Sequence, residues 1–139
     1  AYLFSNTLVV LEITEEILRA LLERCASYFT LENGTPRVSD AFLAPKVEHY
    51  NYDFFAGISY QFDLRQPVGR RLDGTPLGPG PLRLCTSNYR ATGTGGYDAL
   101  RTCPVLWRGS VEMPELVAEY VRANSPVSLP CNGRMEAIW

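Results

Sequence analysis

Histidine is scarce in this chain: His49 is the only one among 139 residues. A hydrolytic metal centre draws heavily on imidazole, so a catalytic metal site within these residues is not expected, and a Ser–His triad would rest entirely on His49. The surrounding Lys46-Val47-Glu48-His49-Tyr50 reads more simply as a polar connection. Cys25, Cys85, Cys103 and Cys131 are widely spaced and form no Cys-x-x-Cys pair, which argues against a zinc or dithiol redox motif. Cys25 on the apolar side of a helix and Cys85 within a strand suit buried free thiols, while one or two disulfides stay open if the protein is exported. Positive charge is not in excess. A net charge of -2 gives no support for a nucleic-acid surface built on bulk positive potential, so no duplex partner is expected. No apolar run approaches the length that crosses a bilayer, so no membrane span is expected. Ala1-Tyr2-Leu3-Phe4 is apolar but short, with no basic segment before it and no initiator Met. It does not read as a signal peptide, and the chain is expected to be a mature product or a cut-out domain.

What is present is ordinary globular material. Apolar residues make up 46% and charged residues 20%, enough for one domain with a real core and far from the composition of disorder. Thr7 to Ile13 is rich in β-branched residues and reads as a strand covered on both faces. Thr14 can cap a following helix, and Glu15 and Glu16 suit its positive end. Ile17, Leu18, Leu21, Leu22, Cys25, Tyr28 and Phe29 recur at helical spacing. Thr30 to Asp53 reads as long and irregular, with a turn at Asn33-Gly34 and breaks at Pro36 and Pro45. The aromatics Tyr50, Tyr52, Phe54 and Phe55 are expected to anchor its return to the core. Ile58 to Leu64 alternates as a half-buried strand. Arg65, Arg70 and Arg71 surround a turn and read as a solvated basic turn or an anion site. Leu82 to Thr86 forms another strand, Val105 to Trp107 a short apolar segment, Pro114 to about Ala123 a helix, and Arg134 to Trp139 a closing strand. Without a repeated βαβ rhythm, the pattern predicts an α+β, mixed α/β layered single domain.

The candidate site is the stretch from Asn88 to Leu100, NYRATGTGGYDAL, between a strand and a helical turn. Gly93, Gly95 and Gly96 permit positive φ and close backbone approach to a ligand. Tyr89 and Tyr97 offer flat faces, and Asn88 and Arg90 offer polar contacts. No Lys-Ser or Lys-Thr closes the loop, so it is not a P-loop, and its glycine spacing is not the dinucleotide fingerprint. On composition alone, a glycine-rich strand-to-helix connection is more often just a tight structural turn.

Three segments together resemble the C-terminal domain of the 5′-nucleotidase family of metallophosphoesterases. Leu3 to Val10 is similar to the family's L-P-F-x-N-T-L-V; Tyr52 to Leu64 with Gln66-Pro67-Val68-Gly69 forms the second segment, and Asn88 to Tyr97 the third. Tyr50-Asn51-Tyr52-Asp53, Gly57-Ile58-Ser59-Tyr60 and the Asn88 segment look closest to the 2′,3′-cyclic-nucleotide 2′-phosphodiesterase/3′-nucleotidase branch. The resemblance implies that Phe4 and Tyr89 clamp a nucleobase, with Asn6, Asn88, Arg90, Gly93, Gly95 and Gly96 completing the binding site. Without it, Phe4 would be read as core. Stacking tolerates different bases because each has a π-face.

Where many 5′-nucleotidases carry an Asp that accepts from the ribose hydroxyls, this chain has Gly95. That departure favours a substrate phosphorylated at its 2′ or 3′ oxygen. The family's N-G-G-G-x-R segment is not present, nor is the N-terminal metallophosphoesterase domain that supplies the catalytic residues. Residues 1–139 are therefore expected to be the specificity part of a larger hydrolase. No cofactor is expected in this chain, and a divalent metal pair is implied for the N-terminal domain, the chain's implied partner beside the nucleotide or nucleoside. Periplasmic, cell-wall or secreted location is likewise implied only by the resemblance. The alternatives are a 5′-nucleotidase or UDP-sugar hydrolase domain, a non-catalytic nucleotide-binding module, and a structural domain with Phe4 and Tyr89 in its core.

Overall fold

The computed structural model describes residues 6–72, 74, 77–128 and 135–139. Strand β1 (Thr7–Ile13) is the centre of an antiparallel sheet of order β5-β1-β6, with β5 at Leu82–Ser87 and β6 at Val105–Glu112. Alternation along β1 buries Val9, Leu11 and Ile13, while the other face is only half covered. The near-continuous apolar run thus does not mean burial on both faces. The core-facing side meets helix α1 (Glu15–Ala26), which starts where expected: the Thr14 Oγ1 accepts the Ile17 N–H at 3.2 Å. A cap of this kind contributes about 1 kcal/mol. The helix buries Leu18, Leu21, Leu22, Cys25 and Ala26, and each fully buried Leu contributes about 1.5–3 kcal/mol relative to an exposed one.

The segment after α1 departs from the sequence reading. Phe29–Glu32 (β2) and Thr35–Val38 (β3) pair as an antiparallel hairpin rather than an irregular stretch. Asn33 and Gly34 take φ of 52° and 74° at its turn, the double left-handed conformation that matches the natural twist of a two-residue hairpin. The strands have four residues each, too short to display their alternation clearly. Two short 3₁₀ turns, Asp40–Phe42 and His49–Asn51, then lead into a run without regular secondary structure at residues 52–56. Tyr52 and Phe55 pack against the core, whereas Tyr50 and Phe54 lie 55% and 74% exposed. Only half of that aromatic group anchors the chain. His49 sits in the connection, its Nδ1 2.8 Å from the Tyr28 hydroxyl.

Strand β4 (Tyr60–Asp63) buries Tyr60 and Phe62 and pairs in parallel with β7 (Met135–Ile138). The three nearby arginines diverge. Arg65 chelates Asp63 from the surface at 2.8 and 2.9 Å, and Arg70 is exposed. Arg71 is buried and donates to the Ala26, Phe29 and Gln66 carbonyls, closing the C-terminal end of α1. They do not form one anion site. Beyond the site loop, β6 runs through Glu112, longer than the apolar segment suggested, and helix α3 (Met113–Asn124) follows directly with Pro114 in its first turn. Cys25, Cys85 and Cys103 are free thiols; Cys25 and Cys103 are buried, but Cys85 is exposed on β5, contrary to expectation. Its side chain falls on an exposed position of an edge strand, which a run of apolar letters does not reveal. Cys131 lies outside the described residues. The architecture is α+β, a mixed layered single domain.

Candidate functional site

The site is built where β5 ends against the beginning of β1. Ser87 closes the strand and caps the single helical turn α2 (Asn88–Ala91), its Oγ accepting the Arg90 N–H at 3.1 Å. The antiparallel register opposes Leu8 to Ser87. This places Asn88 beside the first residue of β1, and Asn88 Oδ1 accepts the Thr7 N–H at 3.2 Å. Asn6 stands one residue earlier, and its carbonyl accepts the Met113 N–H at 2.8 Å. Asn6, Asn88 and Tyr89 therefore gather at one end of the sheet. Phe4 lies outside the described residues.

Tyr89 is 46% exposed although its backbone is firmly held. Its carbonyl accepts from the Thr92 and Thr94 hydroxyls at 2.7 and 2.8 Å, and from the Thr92 N–H at 3.3 Å. A large aromatic ring left half exposed on a rigid turn is available for stacking.

Arg90, one residue on, is only 7% exposed. Its Nε lies 2.7 Å from Asp53 Oδ2. One terminal nitrogen donates to the Thr94 carbonyl at 2.7 Å and to Asn51 Oδ1 at 3.5 Å. The other donates to Asp53 Oδ1 at 2.9 Å and to the Tyr50 carbonyl at 3.2 Å. A guanidinium has five N–H donors, and these contacts occupy all of them. The cation also lies 4.3 Å over the Tyr97 ring. Arg90, expected among the ligand contacts, spends these donors within the protein and fastens the glycine loop to the Tyr50–Asp53 segment.

The three glycines are explained by the same packing. Gly93, Gly95 and Gly96 have φ of 82°, 77° and 88°. A Cβ on Gly95 would collide with Asn51 Oδ1 and the Arg90 guanidinium, and one on Gly96 with Arg24 Nε. A Cβ on Gly93 would stand 2.7 Å from Arg101 Cγ and 3.1 Å from Asp98 Cα. The Gly95 carbonyl accepts from Arg24 Nε at 2.9 Å, a second clamp on the loop. Tyr97 is buried below, its hydroxyl donating to the Asn51 carbonyl at 2.8 Å and lying 3.1 Å from Cys25 Sγ. Burial pushes both the Tyr97 phenol and the Cys25 thiol upward, so both stay protonated near neutral pH. Tyr97 is a support for the loop rather than a stacking face.

Sequence reasoning did not single out Arg24, Asn51 and Asp53 as parts of this assembly. A polar Asn51 and Asp53 interleaved with the aromatics of Tyr50 to Phe55 was the available signal; Arg24, on a helix face otherwise read as solvated, carried none. Among the described residues no group of three His, Cys, Asp or Glu side chains could hold a metal ion, and no helix is long and apolar enough to cross a membrane.

Comparison with known proteins shows the family of this fold. Residues 1–102 match the family model described as the 5′-nucleotidase C-terminal domain. A trifunctional nucleotide phosphoesterase protein, YfkN of Bacillus subtilis, is 25% identical over 86% of this chain and 9% of its own length. A 2′,3′-cyclic-nucleotide 2′-phosphodiesterase/3′-nucleotidase of Haemophilus influenzae is 26% identical over 99% of this chain and 24% of its own. A Staphylococcus aureus structure described as a 5′-nucleotidase superposes with a TM-score of 0.88 at 32% identity, over 98% of this chain and 28% of that one. A 5′-nucleotidase precursor from Thermus thermophilus gives 0.63 at 26% identity, over 96% and 25%. The chain spans a quarter or less of the curated relatives it matches. An antiparallel sheet that presents a fixed tyrosine beside a glycine loop, together with a family match over most of the chain, makes this protein a member of the 5′-nucleotidase C-terminal domain family.

Proposed function

We propose that residues 1–139 are the nucleobase-binding specificity domain of a metal-dependent phosphohydrolase acting on 2′,3′-cyclic nucleotides and 3′-nucleotides. Tyr89 stacks on the base, with Asn6 and Asn88 lining the same end of the sheet. The Phe4 position supplies the opposing ring. No residue of this chain performs the chemistry. The divalent metal pair and the groups that activate water belong to the N-terminal part of the parent polypeptide, and the parent acts in the periplasm, cell wall or outside the cell.

The observation that carries this reading is the pairing of an exposed Tyr89 with a filled space at Gly95. An aspartate at that position, the ribose acceptor expected of many 5′-nucleotidases, would collide with Asn51 and Arg90. A free ribose diol therefore has no carboxylate partner at position 95, which favours substrates phosphorylated at the 2′ or 3′ oxygen. The likeness to two structures described as 5′-nucleotidases favours a second reading, a 5′-nucleotidase or UDP-sugar hydrolase.

Calorimetric titration with adenosine, 3′-AMP and 5′-AMP, repeated on Tyr89→Ala, separates them. Preference for 3′-AMP that is lost in the variant supports the cyclic-phosphodiesterase branch; preference for 5′-AMP supports the second reading. Binding unaffected by Tyr89→Ala rejects the stacking assignment.

A further inference from the structure

Two consecutive carbonyls of the site loop, those of Thr94 and Gly95, are each held by an arginine. Arg90 donates to the first at 2.7 Å and Arg24 to the second at 2.9 Å. The two arginines differ in origin. Arg90 belongs to the turn that opens the loop and pairs with Asp53. Arg24 comes from the last turn of α1, 71 residues from Gly95 in sequence. Among the described residues no carboxylate lies within ion-pair distance of Arg24. Its guanidinium is fixed in other ways. It stands 4.1 Å over the ring of Phe42, itself only 1% exposed, and Nη1 donates to Ser27 Oγ at 3.3 Å. Ser27 Oγ in turn donates to the Arg24 carbonyl at 2.6 Å. Gly96 has a φ of 88°, and a Cβ there would strike Arg24 Nε, so this approach requires glycine at position 96.

We infer that Arg24 is a positioning residue for the nucleobase: it fixes the Gly95–Gly96 backbone and, through Thr94, the place of the Tyr89 ring. The link to Tyr89 is short. The Thr94 hydroxyl donates to the Tyr89 carbonyl at 2.8 Å, and Gly95 follows Thr94 directly. Freeing the Gly95 carbonyl would return backbone freedom to two glycines, the residue type with most to recover. A ligand would then have to order the loop as it binds. Arginine suits this position because it can stack on an aromatic face while its N–H groups reach two acceptors, whereas lysine carries one charged end. The inference rests on the base-stacking reading of Tyr89. It adds that base affinity is set in part by the contact between α1 and the loop, and so by Phe42 and Ser27 as well.

Arg24→Met and Arg24→Lys test this in the full polypeptide that carries residues 1–139. Methionine keeps an unbranched side chain against Phe42 and Gly96 but removes the donors; lysine keeps a donor for Gly95. Hydrogen–deuterium exchange reads the loop, where the Thr92 and Gly93 amides bond to the Tyr89 and Arg90 carbonyls. Calorimetric titration with adenosine reads the site. In Arg24→Met the amides of residues 92–97 should exchange about tenfold faster, while those within α1 keep their rates. Adenosine affinity should fall about tenfold, because the ligand now meets the cost of ordering the loop. Arg24→Lys should recover part of both changes. Unchanged loop exchange and unchanged affinity in Arg24→Met overturn the inference. So does exchange that rises alike in the loop and in α1, which would make Arg24 a residue of general stability. Affinity lost while the loop stays protected would make it a ligand contact and overturns the inference too. Tyr89→Ala separates this inference from the reading beneath it. Affinity intact in Tyr89→Ala rejects base stacking itself; affinity lost there but kept in Arg24→Met rejects only the role of Arg24.

Discussion

Replacing Arg90 by Met tests whether this arginine holds the loop or holds the ligand. The structure gives it the first role. Its side chain is 8% exposed, its partner Asp53 is 31% exposed, and the Thr94 and Tyr50 carbonyls depend on it as well. Removing one member of a buried pair leaves the other charge uncompensated and costs about 3–5 kcal/mol. A domain of this size has an unfolding entropy that converts such a loss into a drop in Tm of about 10–17 °C. The native state itself is worth only about 5–15 kcal/mol, so Arg90→Met should stand near the limit of folding. Arg90→Lys provides the foldable companion. It keeps the charge beside Asp53 but cannot reach the Thr94 and Tyr50 carbonyls with the planar fork, so it should recover only part of the loss. Urea denaturation gives the stability and calorimetry gives the nucleoside affinity. The reasoning is refuted if Arg90→Lys unfolds within about 1 kcal/mol of the parent, the size of an ordinary single hydrogen bond, yet no longer binds nucleoside. Arg90 would then be a ligand contact after all.

Tyr89→Ala should weaken nucleoside binding by about 1–3 kcal/mol, with stability changed by no more than about 0.5 kcal/mol because the ring is half exposed; a large stability loss in urea would place the ring in the core. Gly95→Asp should destabilise by several kcal/mol, since it combines a positive φ with a collision against Asn51 and Arg90; a variant of unchanged Tm that gains affinity for a free ribose diol would contradict the packing. Hydrogen bonds from Arg65 hold the Asp63 carboxyl down at about 2, against 3.8 ordinarily. The folded value lies below the unfolded one, so this contribution is present above the ordinary carboxylate range and is lost as pH falls through about 4 to 2. A carboxyl NMR titration should show the low midpoint, and Arg65→Met should return it to the ordinary range; a wild-type midpoint near 4 rejects the ion pair. Among Cys25, Cys85 and Cys103, only Cys85 should alkylate quickly in residues 1–139, because burial covers and raises the other two thiols.

The regular elements were legible because they carry local signals. A capping threonine and a 3.6-residue apolar stripe announced α1, alternation announced β4, and Pro114 marked the start of α3 to within a residue. The hairpin at Phe29–Val38 was missed although its Asn-Gly turn was noticed, because four-residue strands offer only two alternations apiece. The burial of Arg71 and Arg90 was not legible for a common reason. Sequence marks an arginine as charged, and only tertiary structure reveals whether carbonyls converge on it. The exposure of Tyr89 has the same character: its place beside the start of β1 is set by the β1–β5 register, a contact across 81 residues.

The arrangement also explains how a loop rich in glycine can hold the exposed Tyr89 ring, the proposed stacking face, in a fixed place. Glycine raises the conformational entropy that ordering must overcome, so a free NYRATGTGG segment would bind weakly. Here the loop is ordered before any ligand arrives. Ser87 caps its first turn, two threonine hydroxyls converge on the Tyr89 carbonyl, Arg90 draws Thr94 onto Asn51 and Asp53, and Arg24 grips the Gly95 carbonyl. The glycines are small so that these arginines can approach, and the arginines in turn remove the freedom that the glycines bring. Affinity from one exposed ring is modest, and preorganisation preserves it by sparing the ordering cost at binding. The buried arginine and the exposed tyrosine, adjacent in sequence, therefore fit one proposed purpose: the first makes the loop rigid, and the stacking proposed for the second would use that rigidity.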